Sequence, residues 1–388
     1  MNQKKKVQNK KQKFAALAML SLCLSTTIGT PSARADELQG ANGGPQDMVI
    51  DFAKETLSTF LTDSIKDMLF PEQGVDYERI KRDMEQVVQK QIVSAEIDKA
   101  IGYINGASAN AATAVLRTDA VEALDGIRTT LVHDVSVLAT GQFKNPALGN
   151  YVQGAQTEAA ILAAMLTKVK ATPQQGFLLA NGEVCDRACV IGMTKLRLDA
   201  HSKHVTASTN EVLSSLIQAR ADQVDGCTPD DEYIMNPYTG KGYVIHHGDQ
   251  YHDRKTGYTS DHFKDNRAGC NKQRGEYIDH RKTEARNEAY KNLSWLMTAR
   301  ASWTGALVAI QPNLSAADKT ALVMKGFNEA GPYIGDASGC YGIVGDSIKR
   351  SPGIDTCQTM RDATKVYSYK CDNDFKTFVQ LLGCGEVK

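Results

Sequence analysis

Six polar side chains recur along one side of a single predicted helix and form the clearest chemical pattern in the chain. Residues 118–140 are predicted to be an amphipathic helix, because apolar side chains recur there at steps of three and four. The polar stripe lies on roughly the opposite side and consists of Glu122, Asp125, Thr129, His133, Ser136 and Thr140. It fits a solvated bundle face, or the wall of an aqueous pore after membrane insertion, and a protein that changes state could use both.

The next predicted helix, residues 146–167, must position this stripe. Glu158 is its single charge between Lys144 and Lys168, and alanine is its commonest residue. At about 1.5 Å per residue such a helix spans roughly 33 Å, close to the hydrocarbon thickness of a bilayer. Alanine makes it a poor transmembrane helix by itself. We therefore expect the buried centre of a bundle, which could later enter a membrane.

Histidines supply the other candidate chemistry. His201 and His204 are spaced i, i+3 on a predicted helix over 190–224, and we expect a surface pair without a metal. A Tyr- and Gly-rich loop, residues 228–269, contains four more histidines and nearby carboxylates, with a spacing that fits no metal signature: His246, His247, His252, His262, Asp249 and Asp253. We expect a disulfide-closed recognition loop, with a metal-dependent enzyme as the weaker alternative.

Familiar catalytic patterns are absent from the sequence. It contains no G-x-S-x-G, no H-E-x-x-H, no phosphate-binding P-loop and no dinucleotide-binding fingerprint after a strand. Its polar residues lie in stripes rather than in clusters. We therefore expect a protein that is not an enzyme and that uses no cofactor.

The first 35 residues have the pattern of a signal peptide: a Lys-rich start, an apolar run, and Ala33-Arg34-Ala35 as the cleavage site. Without them the chain has 38 basic and 45 acidic residues, a net charge of −7. This charge disfavours nucleic acid as a partner. We expect a secreted protein, periplasmic or extracellular, with a flexible leader at 36–46.

Eight cysteines remain after the predicted signal peptide, and an even number in an exported chain indicates disulfides. Local spacing favours Cys185–Cys189 and Cys227–Cys270. The last four are expected to pair among themselves: Cys340, Cys357, Cys371 and Cys384. Zinc is disfavoured because no C-x2-C pair is present.

The rest of the sequence predicts an all-α bundle. Helical periodicity returns at 279–310, and Ser315 with Asp318 predicts the capped start of another helix. From Gly331 the chain is rich in Gly and Cys and shows little periodicity. We divide the mature chain into a helical bundle, residues 47–314, and a Cys-rich C-terminal region, residues 315–388.

Several stretches together resemble the N-terminal helical domain of insecticidal crystal delta-endotoxins. Residues 148–156 (LGNYVQGAQ) resemble the central helix of that family and contain Tyr151, Gln153 and Gly154. Residues 70–71 (FP) and 84–92 (MEQVVQKQI) resemble its second-to-third helix region. Residues 300–313 (RASWTGALVAIQPN) resemble the end of the last bundle helix of that family. The family often has a histidine near the position of Glu158, and its β domains have no counterpart here.

This resemblance implies a pore-forming action but no particular target. We expect a hairpin of about 118–167 to enter a target membrane, recognised directly or through a surface receptor. Glu158 and His133 would then face the pore or each other. Several copies could assemble there as a homo-oligomer. The alternative is a non-lytic exported protein that binds a partner through loop 228–269.

Overall fold

The computed structural model describes residues 95–141, 144–171, 176–264, 266–311, 313–335 and 339–387. Two short antiparallel hairpins lie among them, β1 (Phe177–Leu178) with β2 (Val184–Cys185) and β3 (Thr228–Met235) with β4 (Gly242–Gln250). The nine α-helices of these ranges are α1 (Ala95–Ala114), α2 (Ala120–Leu138), α3 (Leu148–Ala171), α4 (Arg187–Ala221), α5 (Arg267–Ala309), α6 (Ala316–Ile334), α7 (Cys340–Arg350), α8 (Thr356–Val366) and α9 (Asn373–Val379). The all-α prediction is confirmed.

Some sequence predictions lie outside the described residues. These are the signal peptide over 1–35, the leader over 36–46 and the helices expected between 47 and 94. The stretches 70–71 and 84–92 of the delta-endotoxin resemblance fall in the same part of the chain. The fold described below therefore concerns residues from 95 onward.

Helix α3 is the centre of the bundle, as its sequence predicts. It contacts α1, α2, α4 and α5. Apolar side chains such as Val152, Leu162 and Met165 are buried on several sides of α3, which an element surrounded by other helices requires. Among the described helices, none is both long enough and apolar enough to cross a membrane.

Helix α2 packs against α3 through its apolar stripe. Leu124, Leu131 and Val135 are each at most 1% exposed. The closest approach is at Gly154 of α3, where a Cβ atom would lie 2.3 Å from a methyl group of Val135. Glycine is therefore required sterically at this contact, and α2 and α3 form a tight pair.

Helices α4 and α5 form a long antiparallel pair that contains two separate cores. The halves of α4 and α5 next to α3 belong to the main core. At the other end, Val224, Cys227, Tyr251 and Cys270 form a small second core. We call residues 222–264, which connect the two helices and include β3 and β4, the head.

Helix α5 begins 12 residues earlier than the predicted 279. Asn266 caps it by accepting a hydrogen bond from the Gly269 backbone N–H. The early part has no apolar periodicity, and none of residues 271–288 is buried. The predicted loop over 228–269 therefore ends in a helix, and α4 ends at Ala221 rather than at Val224.

The C-terminal region is more helical than the sequence predicts. Beyond Gly331 lie the end of α6, then α7, α8, α9 and a π-helical turn, Gln380–Cys384. Phe327, Phe375 and Phe378 pack together there as aromatic neighbours. Short helices give little periodic signal, so their packing could not be read from the sequence. The cap that Ser315 forms on Asp318 is confirmed.

Four disulfides lie within the described ranges, and the two predicted pairs, Cys185–Cys189 and Cys227–Cys270, are confirmed. The last four cysteines do pair among themselves, as Cys340–Cys371 and Cys357–Cys384. Several disulfides in one chain indicate an oxidising environment.

Candidate functional site

The polar stripe of α2 is exposed, with one exception. Glu122, Thr129, His133, Ser136 and Thr140 are exposed to solvent. The exception corrects the sequence prediction: Asp125 is 3% exposed. One of its carboxylate oxygens accepts two hydrogen bonds from the Arg128 guanidinium, at 3.0 and 2.8 Å. The other accepts the Ala180 backbone N–H at 3.2 Å.

Glu158 lies at the centre of a buried ion cluster that joins three helices. Its carboxylate is fully buried. Arg197 of α4 donates to both oxygens, at 2.7 and 2.9 Å, and Arg128 of α2 lies 3.6 Å away. His201 of α4 contacts the carboxylate through Nε2 at 2.8 Å. We call Glu158, Arg128, Arg197 and His201 the Glu158 cluster.

The cluster keeps Glu158 ionised. Burial raises the pKa of this carboxyl group, but hydrogen bonds from His201 and Arg197 outweigh burial and hold the pKa below its ordinary value. The pKa of Arg197 shifts in the opposite direction: burial lowers it, but contact with Glu158 raises it more, so the net pKa is above the ordinary value. A charged group in this otherwise apolar helix is therefore stable only while its partners remain in contact.

The orientation of His201 follows from its two neighbours. A carboxylate only accepts hydrogen bonds, so the Nε2 atom facing Glu158 must carry hydrogen. The Nδ1 atom lies 2.7 Å from the hydroxyl of Tyr151, a group that can donate or accept. Burial raises the pKa of Tyr151, so this hydroxyl keeps its proton. Tyr151, His201 and Glu158 thus form one continuous chain of hydrogen bonds.

The expected surface pair of histidines is wrong. His201 is 1% exposed, and His204 is half-buried against Tyr151, with ring centroids 4.1 Å apart. Burial, together with the nearby charges of Lys144 and His201, lowers the pKa of His204 to about 4. The sequence contained a signal, because His201 lies on the apolar stripe between Leu198 and Val205.

Two further residues of the central helix have packing roles. Gln153 is buried, and its amide nitrogen donates to the Asn105 side chain of α1 at 3.1 Å. Gly154 permits the contact with Val135 described above. In the folded bundle His133 is exposed on the outer face of α2 and does not contact Glu158, so the prediction that the two face the pore or each other after insertion stays a prediction. The partner of Glu158 within the hairpin is Arg128, which sequence reasoning did not single out.

A second fully buried carboxylate, Asp253, anchors the head. Arg220 of α4 donates to both of its oxygens, at 3.0 and 2.5 Å, and the Tyr277 hydroxyl of α5 donates at 2.9 Å. The backbone N–H of Lys255 also donates to it. Burial raises the pKa of Asp253, but these hydrogen bonds, led by Arg220, hold it well below its usual range. We call Asp253, Arg220 and Tyr277 the Asp253 cluster.

Three of the four histidines of the head each contact a different carboxylate. His246 contacts Asp231 at 2.6 Å, His247 contacts Glu232 at 3.0 Å, and His262 contacts Asp230 at 2.8 Å. His252 contacts the Thr259 hydroxyl at 3.0 Å. Within the described ranges, no three His, Cys, Asp or Glu side chains converge in a way that could hold a metal ion.

The comparisons with known proteins add no relative. No protein-family model matches the chain, no curated protein matches it, and no solved structure matches it. Functional inference therefore rests on the residues of this chain.

Proposed function

We propose that this chain is a secreted, non-enzymatic pore-forming protein that inserts the hairpin of α2 and α3 into a target membrane. The observation that supports the proposal is the sharing of Glu158 between two elements. Arg197 and His201 hold it to α4, whereas Arg128 belongs to the hairpin itself. If the hairpin separated from α4, Glu158 would lose two partners and keep one cation.

This arrangement addresses the main cost of insertion. An unpaired carboxylate within a membrane is expensive, and such groups pair or face water. Arg128 contacts both Glu158 and Asp125, so one cation of the hairpin stays beside its two buried carboxylates and lowers the cost of their insertion. The backbone groups of both helices stay hydrogen-bonded within each helix, which a bilayer demands. Close packing at Gly154 would keep the two helices together.

The exposed stripe of α2 would line the pore. Several hairpins in a homo-oligomer would turn this stripe toward water and their apolar sides toward lipid. The lining residues are Glu122, Thr129, His133, Ser136 and Thr140. Asp125, which the sequence placed in the stripe, is excluded from the pore lining because it is buried and binds Arg128. The partners are a target-cell membrane and, for specificity, a surface receptor.

The test is to lock the hairpin to α4. Lys144, which precedes α3, contacts Glu211 of α4 with 2.5 Å between Nζ and a carboxylate oxygen. Both side chains are partly exposed, so cysteines at Lys144→Cys and Glu211→Cys can be joined with a short bis-maleimide. The matched control is the same double variant capped with a monofunctional maleimide. Dye release is measured from neutral and anionic liposomes at acidic, neutral and alkaline pH.

The proposal predicts leakage by the capped protein and loss of at least nine-tenths of that leakage in the bridged protein. Equal leakage by the two would overturn insertion of this hairpin. Absence of leakage at every pH and with either lipid would overturn pore formation in simple membranes.

A second candidate is a non-lytic binding protein that uses the head. The observation that favours it is the exposure of Tyr233, Tyr238 and Tyr243 in the hairpin of β3 and β4. A variant in which a Gly-Gly link replaces residues 232–246 separates the two functions. A pore former without this segment still releases dye at high dose. A pure binding protein releases none with or without it.

A further inference from the structure

The end of the head's hairpin has an unusual surface. Residues 233–245 contain a single charged residue, Lys241. Their exposed apolar side chains include Tyr238, at 95% exposure, and also Tyr233, Met235, Tyr243 and Val244. We call residues 233–245 the tip. Large exposed apolar surfaces on a protein usually mark a place of interaction.

These side chains occupy both faces of the hairpin. Residues alternate between faces along each strand, and Tyr233 pairs with Val244 while Ile234 pairs with Tyr243. Tyr233 and Met235 therefore lie on one face and Tyr243 on the other. Tyr238 lies in the turn between the strands. A folded protein partner covers one face of a hairpin, whereas a lipid interface surrounds both faces at the same depth.

The chemistry of the tip also suits a lipid interface. Tyrosine has an apolar ring and a polar hydroxyl, and it concentrates where hydrocarbon meets lipid headgroups. The single charge of the tip is positive, as contact with headgroup phosphates requires. The nearest acidic residues, Asp230, Asp231 and Glu232, come before the tip, and each contacts a histidine. The uncharged part of the hairpin thus ends where the acidic residues begin.

The local structure holds the tip in this form. The Tyr233 ring covers Gly242, where a Cβ atom would overlap the phenol. The Tyr233 hydroxyl also contacts the Met235 sulfur at 3.4 Å. At the base of the head, the Cys227–Cys270 disulfide joins the residue before β3 to the first turn of α5. The apolar tip is therefore presented from a fixed base.

We propose that the tip docks into the headgroup region of a phospholipid bilayer. This site is distinct from the proposed pore-forming hairpin: His201 and Ala221 are 20 residues apart on α4, roughly 30 Å along the helix axis. Docking brings the protein to the membrane without opening the bundle. It goes beyond the proposed pore and does not depend on it.

The test measures partition of the oxidised protein onto phosphatidylcholine vesicles, with and without phosphatidylglycerol, by sedimentation. The double variant Tyr238→Asp, Tyr243→Asp is expected to lose at least tenfold in partition coefficient. The matched control is Tyr369→Asp, since Tyr369 is 76% exposed outside the head, and it should stay within twofold of the unchanged protein. Lys241→Gln should weaken binding more on the anionic vesicles.

A fluorescent label locates the contact. An NBD group on Thr239→Cys is expected to brighten and shift to the blue with vesicles, while one on Lys349→Cys is not. No binding to either vesicle, or equal binding by the double Asp variant, would overturn docking.

The same measurements on the bridged Lys144→Cys, Glu211→Cys protein separate this proposal from the pore. If the unchanged, capped and bridged proteins all bind vesicles and none releases dye, the pore is refuted and docking is supported. Leakage combined with tip variants that bind normally would refute docking and leave the pore supported.

Discussion

Two carboxylates, Glu158 and Asp253, are each fully buried and each held by an arginine of α4. The two sites differ in whether a covalent bond or only side-chain contacts join the neighbouring elements. The Asp253 cluster lies beside the Cys227–Cys270 disulfide, which ties the residue before β3 to the first turn of α5. The Glu158 cluster joins α2, α3 and α4 through side chains. An arginine–carboxylate pair thus lies beside a disulfide in one region, and in the other it is the contact that the proposed insertion would release.

The energetic reason is the cost of separating a buried pair. Removing one partner of such a pair costs about 3–5 kcal/mol, because a charge is left buried without compensation. At Asp253 the disulfide prevents the partners from separating far. At Glu158 separation is opposed by the cluster and by packing, and in the proposed insertion Arg128 would move with the hairpin. We therefore place the opening of the bundle at the contact between α3 and α4.

The largest effect is expected for Glu158→Gln. It removes the charge that Arg197 and Arg128 surround, so the free energy of unfolding should fall by about 3–5 kcal/mol at pH 7. Because the folded-state pKa of Glu158 is lowered, its contribution is present above its ordinary pKa near 4.5 and lost as the pH falls below that value. Urea titrations at pH 7 and pH 3 should show the difference from the unchanged protein narrowing at pH 3. An equal difference at both pH values would contradict this role.

Gly154→Ala should have the next largest effect. The new methyl group would meet Val135 at 2.3 Å, and overpacking of this kind costs about 1–3 kcal/mol. The matched control is Gly102→Ala in α1, where a Cβ atom meets nothing within 4 Å. There alanine should be neutral or stabilise the helix by up to about 1 kcal/mol. Thermal unfolding of both variants compares the sites, and similar losses would show that the contact of α2 with α3 is not tight.

A smaller, pH-dependent effect is expected at His204. Its folded-state pKa, about 4, lies below the ordinary value for histidine, so the unfolded chain takes up a proton more readily. Stability is therefore lost as the pH falls from about 6.5 toward 4. His204→Gln should flatten the dependence of the unfolding free energy on pH across this window. An unchanged slope would mean that His204 is more accessible to water than the packing indicates.

The smallest effect on global unfolding is expected for Asp253→Asn. The head has its own small core and can open locally while the main bundle stays folded. The global free energy of unfolding should change by less than about 1 kcal/mol, while amide hydrogen exchange in β3 and β4 accelerates. Destabilisation as large as that of Glu158→Gln would erase the difference between the two regions.

The parts of the fold that the sequence predicts are those with strong local patterns. The amphipathic stripe defined α2, and the long run of small apolar residues defined α3. Local spacing also identified two disulfides. In contrast, residues 271–276 of α5 are mostly polar and show no periodicity, because none of them is buried. Periodicity reports burial of one face, so an exposed helix leaves no such pattern.

Only part of the Glu158 cluster could be predicted from the sequence, for a different reason. Glu158 stands out as the one charge between Lys144 and Lys168, but Arg197 and His201 follow about forty residues later, in another helix. Contacts at this separation depend on how helices pack, which local patterns do not specify. Arg128 had a local signal, because it lies three residues after Asp125 on α2.

Release of the hairpin from α4 is tested most directly by the distance between spin labels on Lys144→Cys and Glu211→Cys, measured before and after addition of vesicles. A second pair, on Thr129→Cys of α2 and Gln156→Cys of α3, reports on the hairpin itself. If the hairpin is released, the first distance should lengthen by tens of ångströms, because α3 leaves α4, while the second stays unchanged. A constant first distance on vesicles that are leaking would contradict release of the hairpin at the Glu158 cluster.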